Sequence, residues 1–278
     1  MFVLFSDFST FFRGGTMKRW LLLWLLVTAF RAQAGDWQES SDVAALFSDA
    51  GVVGTFVLYD VAADRYVGHD RSRAQTRFIP ASTFKIPHSL IGLAVGVVAN
   101  VDEIVPYTGP AQPFVEAWGR DMGLRDAMAL SNVPIYQELA RRIGLERMGE
   151  HVRRLTYGNM AIGDQVDRFW LKGPLKISAV EQALFLGKLA KGELPYAVAQ
   201  QQSLRDILLL EQGPGWKLYG KTGWQNAPKP GVGWWVGWVE KGEQVYSFAL
   251  NMDIRRESDA ARRMELGRAS LVALGVLE

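Results

Sequence analysis

Ser82 and Lys85 lie three residues apart in Pro80-Ala81-Ser82-Thr83-Phe84-Lys85-Ile86, the only Ser-x-x-Lys in the chain. Ile86, Leu90, Ile91, Leu93, Ala94, Val97 and Val98 follow with helical spacing. A helix that opens here holds a hydroxyl and an amine on one face, one turn apart, where unpaired backbone N–H groups point outward. A hydroxyl is a weak nucleophile. It needs a base within reach and donors for the oxyanion it creates, and this arrangement can supply both. Taken alone, a serine at a helix start is also an ordinary cap.

Two further motifs follow in order. Ser131-Asn132-Val133 precedes a helix predicted over 134–143, and Lys221-Thr222-Gly223 ends a strand predicted over 216–222. Each has a chemical use beside Ser82. Ser82 is the acyl acceptor, and Ser131 can pass a proton toward a leaving nitrogen. Lys221 and Thr222 offer a charge and a hydroxyl to a substrate carboxylate, and Gly223 lets the strand edge approach a substrate closely. Singly, Ser131 could be an N-cap and Lys-Thr-Gly a strand end. Three such motifs in this order point to an acyl-transfer site.

With these motifs the chain resembles the class D β-lactamases, the oxacillinases of the serine β-lactamase and penicillin-binding protein superfamily, over essentially all of residues 35–278. Ser82-Thr83-Phe84-Lys85, Ser131-Asn132-Val133, Tyr157-Gly158-Asn159, Phe169-Trp170-Leu171 and Lys221-Thr222-Gly223 carry the resemblance, with 134–140 and 233–238 also similar. Val133 stands where the class A motif has Asn, which makes the likeness specific to class D. Phe84, Val133 and Trp170 are expected to wall Lys85 into a dry pocket, where burial lowers the amine pKa. Residue chemistry reaches only a neutral Lys85. The resemblance implies more: Lys85 carboxylated by carbon dioxide, held by the Trp170 indole N–H, and acting as general base. It also implies an oxyanion hole from the backbone N–H groups of Ser82 and Trp224, and an arginine for the substrate carboxylate, Arg263 with Arg262 as rival. Tyr157 and Asn159 are read as shaping the site. An acid-activated water from Asp164 or Asp167 is the weaker route, since 160–176 contains no Glu.

The implied activity is hydrolysis of β-lactams of the penicillin and oxacillin type, with no metal or organic cofactor and a monomeric or homodimeric enzyme. Two rivals share the acylation chemistry: a penicillin-binding DD-peptidase or transpeptidase, and a non-hydrolytic β-lactam sensor domain.

Composition fits this reading. The chain has 278 residues, 31 basic and 29 acidic, a net charge of +2 and no cysteine. That leaves no disulfide, no Cys–zinc site and no Cys nucleophile. Mixed charges give no nucleic-acid footprint. His69, His88 and His151 are scattered, and no Gly-x-Ser-x-Gly elbow is present. His69 is placed at a strand end and His88 on the Ser82 helix.

The elements that must position the motifs follow from periodicity. Strands are expected over 52–59 and 65–69 around a turn at 61–64, and a hairpin over 233–240 and 244–252 across 241–243. A helix over 178–191 carries Ser178 and Glu181 as a capping box, 157–176 reads as a long ordered loop, and 258–274 as a closing helix. Pro87 falls early in the Ser82 helix and predicts an irregular first turn. The expected fold is α+β: a central antiparallel sheet of N- and C-terminal strands flanked by helices, with an adjoining helical lobe. Residues 17–34 read as a signal peptide, with Lys18-Arg19, an apolar core and Ala32-Gln33-Ala34. Residues 1–16 have no evident role and read as an extension before the true start at Met17. Export would leave a periplasmic domain, 35–278, with no stable membrane association; an uncleaved anchor is the alternative.

Overall fold

The computed structural model describes residues 36–278; the expected extension 1–16 and signal segment 17–34 lie outside the described residues. One seven-stranded sheet runs through it in the order β1-β3-β2-β7-β6-β5-β4. The strands are β1 (Asp36–Glu39), β2 (Gly54–Asp60), β3 (Arg65–His69), β4 (Leu209–Gly213), β5 (Trp216–Gln225), β6 (Gly231–Lys241) and β7 (Gln244–Ile254). The N-terminal strands β2 and β3 join the C-terminal strands through β2–β7 pairing, so both ends of the chain build one sheet, as expected. The sheet is not wholly antiparallel: β1, absent from the sequence reading, pairs parallel to β3. Its four residues, largely exposed, carry no apolar alternation that could announce a strand.

Both faces of the central strands are covered. On β6, Trp234, Val236 and Trp238 point into one core while Trp235 and Val239 point into the other. That is why 231–239 reads as a continuous apolar run. The second core lies under α1 (Ser41–Asp49) and the closing helix, with Phe47, Leu266 and Leu271 among its members. The first core lies under the helical middle. That middle comprises α2 (Arg71–Gln75), α3 (Lys85–Ala94), α4 (Leu124–Ala129), α5 (Val133–Ile143), α6 (Leu145–Arg154), α7 (Phe169–Lys172), α8 (Ala179–Lys191) and α9 (Val198–Leu208). The chain closes with α10 (Arg262–Ala273).

Local rules set the ends that matter. Ser178 caps α8 through a complete capping box with Glu181, and Gly192 ends it in the left-handed region at φ +71. Asn132, not Ser131, caps α5, accepting from the Ile135 backbone N–H at 3.2 Å. Ser131 is thereby released from the capping role. The segment before α3 is a 3-10 turn, Ala81–Phe84, and α-helix begins only at Lys85. The irregular first turn expected from Pro87 is therefore present. α3 stops at Ala94, so Val97 and Val98 lie beyond it. Likewise, 157–176 is not all loop, because it contains the short α7, and the closing segment is a 3-10 turn, Glu257–Ala260, followed by α10.

Candidate active site

The Ser82 turn is held from two sides. Ala81 adopts φ +48 immediately before Ser82. A non-glycine residue there costs of order 1–3 kcal/mol and persists where its surroundings over-determine it. Here the Thr83 hydroxyl donates to the Pro80 carbonyl at 2.8 Å and accepts from Gln182 Nε2 at 2.7 Å; the Tyr157 hydroxyl donates to Gln182 Oε1 at 3.1 Å. From the sheet, the Trp234 indole N–H donates to the Ile79 carbonyl at 2.9 Å. Gly223 lets β5 pack directly against this turn. A Cβ there would stand 3.0 Å from both the Pro80 carbonyl oxygen and Thr83 Cγ2. The glycine thus serves the approach of the strand to the Ser82 turn, in addition to any approach of strand to substrate. Lys221-Thr222-Gly223 also lies inside β5 rather than at its end, because the strand continues to Gln225.

Lys85 Nζ donates to Ser82 Oγ at 2.9 Å. The lysine is fully buried, and burial, then the nearby Lys221 charge, hold its pKa well below the ordinary lysine value. Once Nζ is neutral the same contact can run the other way, with Ser82 as donor. The walls are aromatic. Phe84 stacks on Trp170 at 5.8 Å between centroids, and Lys85 Nζ lies 5.1 Å from the Tyr136 ring centre. Val133 is half-buried and lines the cleft beside Ser82. Trp170 is fully buried, and its Nε1 has no hydrogen-bond partner. An indole N–H can only donate, and an orphaned buried donor costs about 1–3 kcal/mol, so this pocket fits an added acceptor such as a carboxylated Lys85.

Across the cleft, Lys221 Nζ donates to Ser131 Oγ at 3.0 Å and to the Thr222 carbonyl at 2.9 Å. Burial, then Arg263, lowers the Lys221 pKa to about 7. Arg263 projects from α10 with Nε and Nη1 buried and unpartnered, whereas the rival Arg262 is engaged with the Ala50 carbonyl. Ser82, Ser131, Val133, Thr222, Gly223, Trp224 and Arg263 line one cleft of about 880 Å³. No acidic side chain lines it. Its field therefore favours a small anion. Among the described residues no cluster of His, Asp or Glu is arranged to hold a metal ion.

A family profile described as the penicillin binding protein transpeptidase domain matches residues 54–269. The β-lactamase OXA-5 of Pseudomonas aeruginosa is 38% identical over 234 residues, covering 83% of this chain and 87% of that protein. OXA-48 of Klebsiella pneumoniae is 40% identical over 223 residues, covering 80% and 84%. The crystal structure of FUS-1 (OXA-85), a class D β-lactamase from Fusobacterium nucleatum subsp. polymorphum, superimposes with a TM-score of 0.84 at 41% identity, covering 87% of this chain and all of that one. The chain belongs to the class D β-lactamases. The α+β architecture is the fold of this family.

Within this β-lactamase fold the predicted residues fall into three groups. Ser82, Lys85, Phe84 and Trp170 meet beneath the cleft, and Ser131, Lys221, Thr222 and Arg263 meet on its far wall. The third group stands back. Asn159 pins the loop before α8, donating to the Pro174 carbonyl at 3.0 Å and accepting from the Lys176 N–H at 2.9 Å, and it does not line the cleft. Asp167 pairs with Arg141. Some contributors escaped the sequence reading. Gln182 braces the Ser82 turn together with Trp234 of the family-like 233–238 segment, and Phe114, Val115, Trp118 and Lys172 line the cleft together with Leu171 of the 169–171 motif. Phe114 is 80% exposed, an aromatic in a segment without periodicity, and that was the one available signal.

Proposed function

We propose that this chain hydrolyses the amide bond of penicillin- and oxacillin-type β-lactams through an acyl-enzyme on Ser82, and so confers antibiotic resistance. The observation that carries the reading is the 2.9 Å contact between Ser82 Oγ and a fully buried Lys85 whose ammonium form is disfavoured. Lys85 takes the Ser82 proton as Oγ adds to the lactam carbonyl carbon. The backbone N–H groups of Ser82 and Trp224 receive the oxyanion; losing one such donor typically costs about 2.7–4 kcal/mol of transition-state stabilisation. As the C–N bond breaks, Ser131 delivers a proton to the ring nitrogen and is recharged through Lys221. Thr222, Lys221 and Arg263 hold the substrate carboxylate. Water then adds to the ester carbonyl, giving its proton to the Lys85 side and releasing Ser82 and the opened product. Carboxylation of Lys85 by CO2 forms an Nζ–C bond with loss of one proton, and the carbamate supplies the anionic base for both half-reactions. Trp170 Nε1 would hold it.

The segment 17–34 supports export to the periplasm, leaving 35–278 as the acting domain and 1–16 as an extension outside it.

Intact-mass measurement during turnover of a penicillin, in bicarbonate buffer, tests the reading. An adduct of substrate mass on Ser82 is expected to appear and clear while penicillin is consumed catalytically. An adduct that persists for hours without turnover would assign the site to a penicillin-binding peptidase or a sensor instead.

A further inference from the structure

His88 is the buried group that the proposed chemistry leaves unused. It is one turn beyond Lys85 on α3, fully buried, and both its ring nitrogens lack a hydrogen-bond partner. Its ring is 5.1 Å from Trp170, 5.3 Å from Tyr136 and 5.5 Å from Phe84, centre to centre, so it shares the three aromatic walls of the Lys85 pocket. None of the neighbouring polar groups serves it. The Tyr136 hydroxyl is paired with Ser89 Oγ at 2.7 Å, and Ser89 also donates to the Lys85 carbonyl at 2.9 Å. Trp170 Nε1 is a donor and is itself orphaned. Lys85 Nζ is engaged with Ser82.

The pocket therefore holds two buried N–H donors, one indole and one imidazole, neither of which has a hydrogen-bond partner. Burying polar groups unpaired is costly. A leucine or phenylalanine would fill the volume of His88 without that cost. An oxygen-rich anion on Lys85 would offer both donors an acceptor.

We propose that His88 is a positioning residue for the Lys85 base, donating an imidazole N–H to the carboxylated Lys85 alongside Trp170. The inference rests on the carboxylation reading above and extends it to a second donor. Burial, then Lys85, holds His88 neutral by lowering its pKa to about 3, so a single N–H is available over the working pH range. Arrival of a carbamate anion favours the hydrogen-bonded form and pulls the His88 pKa upward.

The test reads carboxylation directly. Enzyme titrated with 13C-bicarbonate gives a carbamate signal whose midpoint reports CO2 affinity independently of turnover. His88→Leu is expected to raise the bicarbonate concentration at half-carboxylation roughly tenfold or more, the usual effect of losing a hydrogen bond to a charged group. His88→Asn restores an N–H donor and is expected to recover most of that loss. Should a variant fail to fold, the unsubstituted enzyme still decides. It has only three histidines, so 15N-histidine labelling resolves His88. Its ring resonances should shift, with one slowly exchanging N–H, as the carbamate signal grows. A carbamate signal with unmoved His88 resonances, or His88→Asn as impaired as His88→Leu, overturns the role of His88 alone. No carbamate signal in the unsubstituted enzyme overturns the carboxylation reading, and this inference with it.

Discussion

Two buried lysines flank the cleft and differ in company. Lys85 sits among Phe84, Tyr136, His88 and Trp170, with the Ser82 hydroxyl as its side-chain partner. Lys221 sits on β5 with Ser131 Oγ and the Thr222 carbonyl, beside the guanidinium of Arg263, on a wall that opens to the cleft. Burial lowers both pKa values, Lys221 to about 7 and Lys85 well below the ordinary value. The direction is common because the cause is common. The proposed use differs because the Lys85 pocket offers no counter-charge and the Lys221 wall would meet an anionic substrate. A dry aromatic pocket makes a lysine a neutral base or a target for CO2. On the proposed mechanism, a cationic wall keeps a lysine ready to be recharged when an anionic substrate arrives.

The largest expected effect separates them by kinetic signature. Lys85→Ala is expected to lower kcat by roughly 10²–10⁴-fold, the usual worth of a positioned general base. Lys221→Ala should lower kcat less, through the lost relay to Ser131, and should also raise KM about tenfold or more for an anionic β-lactam. Steady-state kinetics on one penicillin checks both, and identical kcat losses with unchanged KM would erase the distinction. Trp170→Phe keeps the packing against Phe84 but deletes the orphaned donor. It should demand about tenfold more bicarbonate for half-maximal activity, read from rates across a bicarbonate series.

On the Lys221 side, Arg263→Ala should raise KM several-fold, whereas Arg262→Ala, already committed to the Ala50 carbonyl, should leave kinetics within about twofold. Equal effects would move the carboxylate site. The smallest effect is on stability. A lysine whose folded pKa lies below its unfolded value binds fewer protons when folded, so stability rises with pH between the two. For Lys221 the window runs from about 7 to its ordinary 10.5. Urea midpoints at pH 7 and pH 9.5 should rise more for the native enzyme than for Lys221→Met.

Much of the sheet was legible because its strands are short apolar runs bounded by turns, and β6 and β7 meet the expected hairpin within two residues at each end. The missed β1 and β4 are edge strands with mostly exposed residues, held by backbone pairing that leaves little trace in side-chain pattern. The helix over 134–143 was legible from Ile135, Leu139 and Ile143, all buried. Its cap was not, because Ser131 and Asn132 are both good cap residues and only the backbone decides between them.

The sequence by itself determined the candidate reacting groups: a serine and a lysine one helical turn apart, and two later motifs with the chemistry to serve them. Spacing within one helix is local geometry, so it survives any packing. Only the tertiary structure decided which distant groups meet. It brought Lys221 to Ser131 across 90 positions and Trp234 to Ile79 across 155. It freed Ser131 by giving the cap to Asn132, selected Arg263 over Arg262 for the cleft, and set Gly223 against the Ser82 turn. It also left Trp170 and His88 buried without partners beside Lys85. Burial and orphaned donors are properties of the packed interior. They arise when elements far apart in the chain close around one another, and no local pattern of residues encodes them.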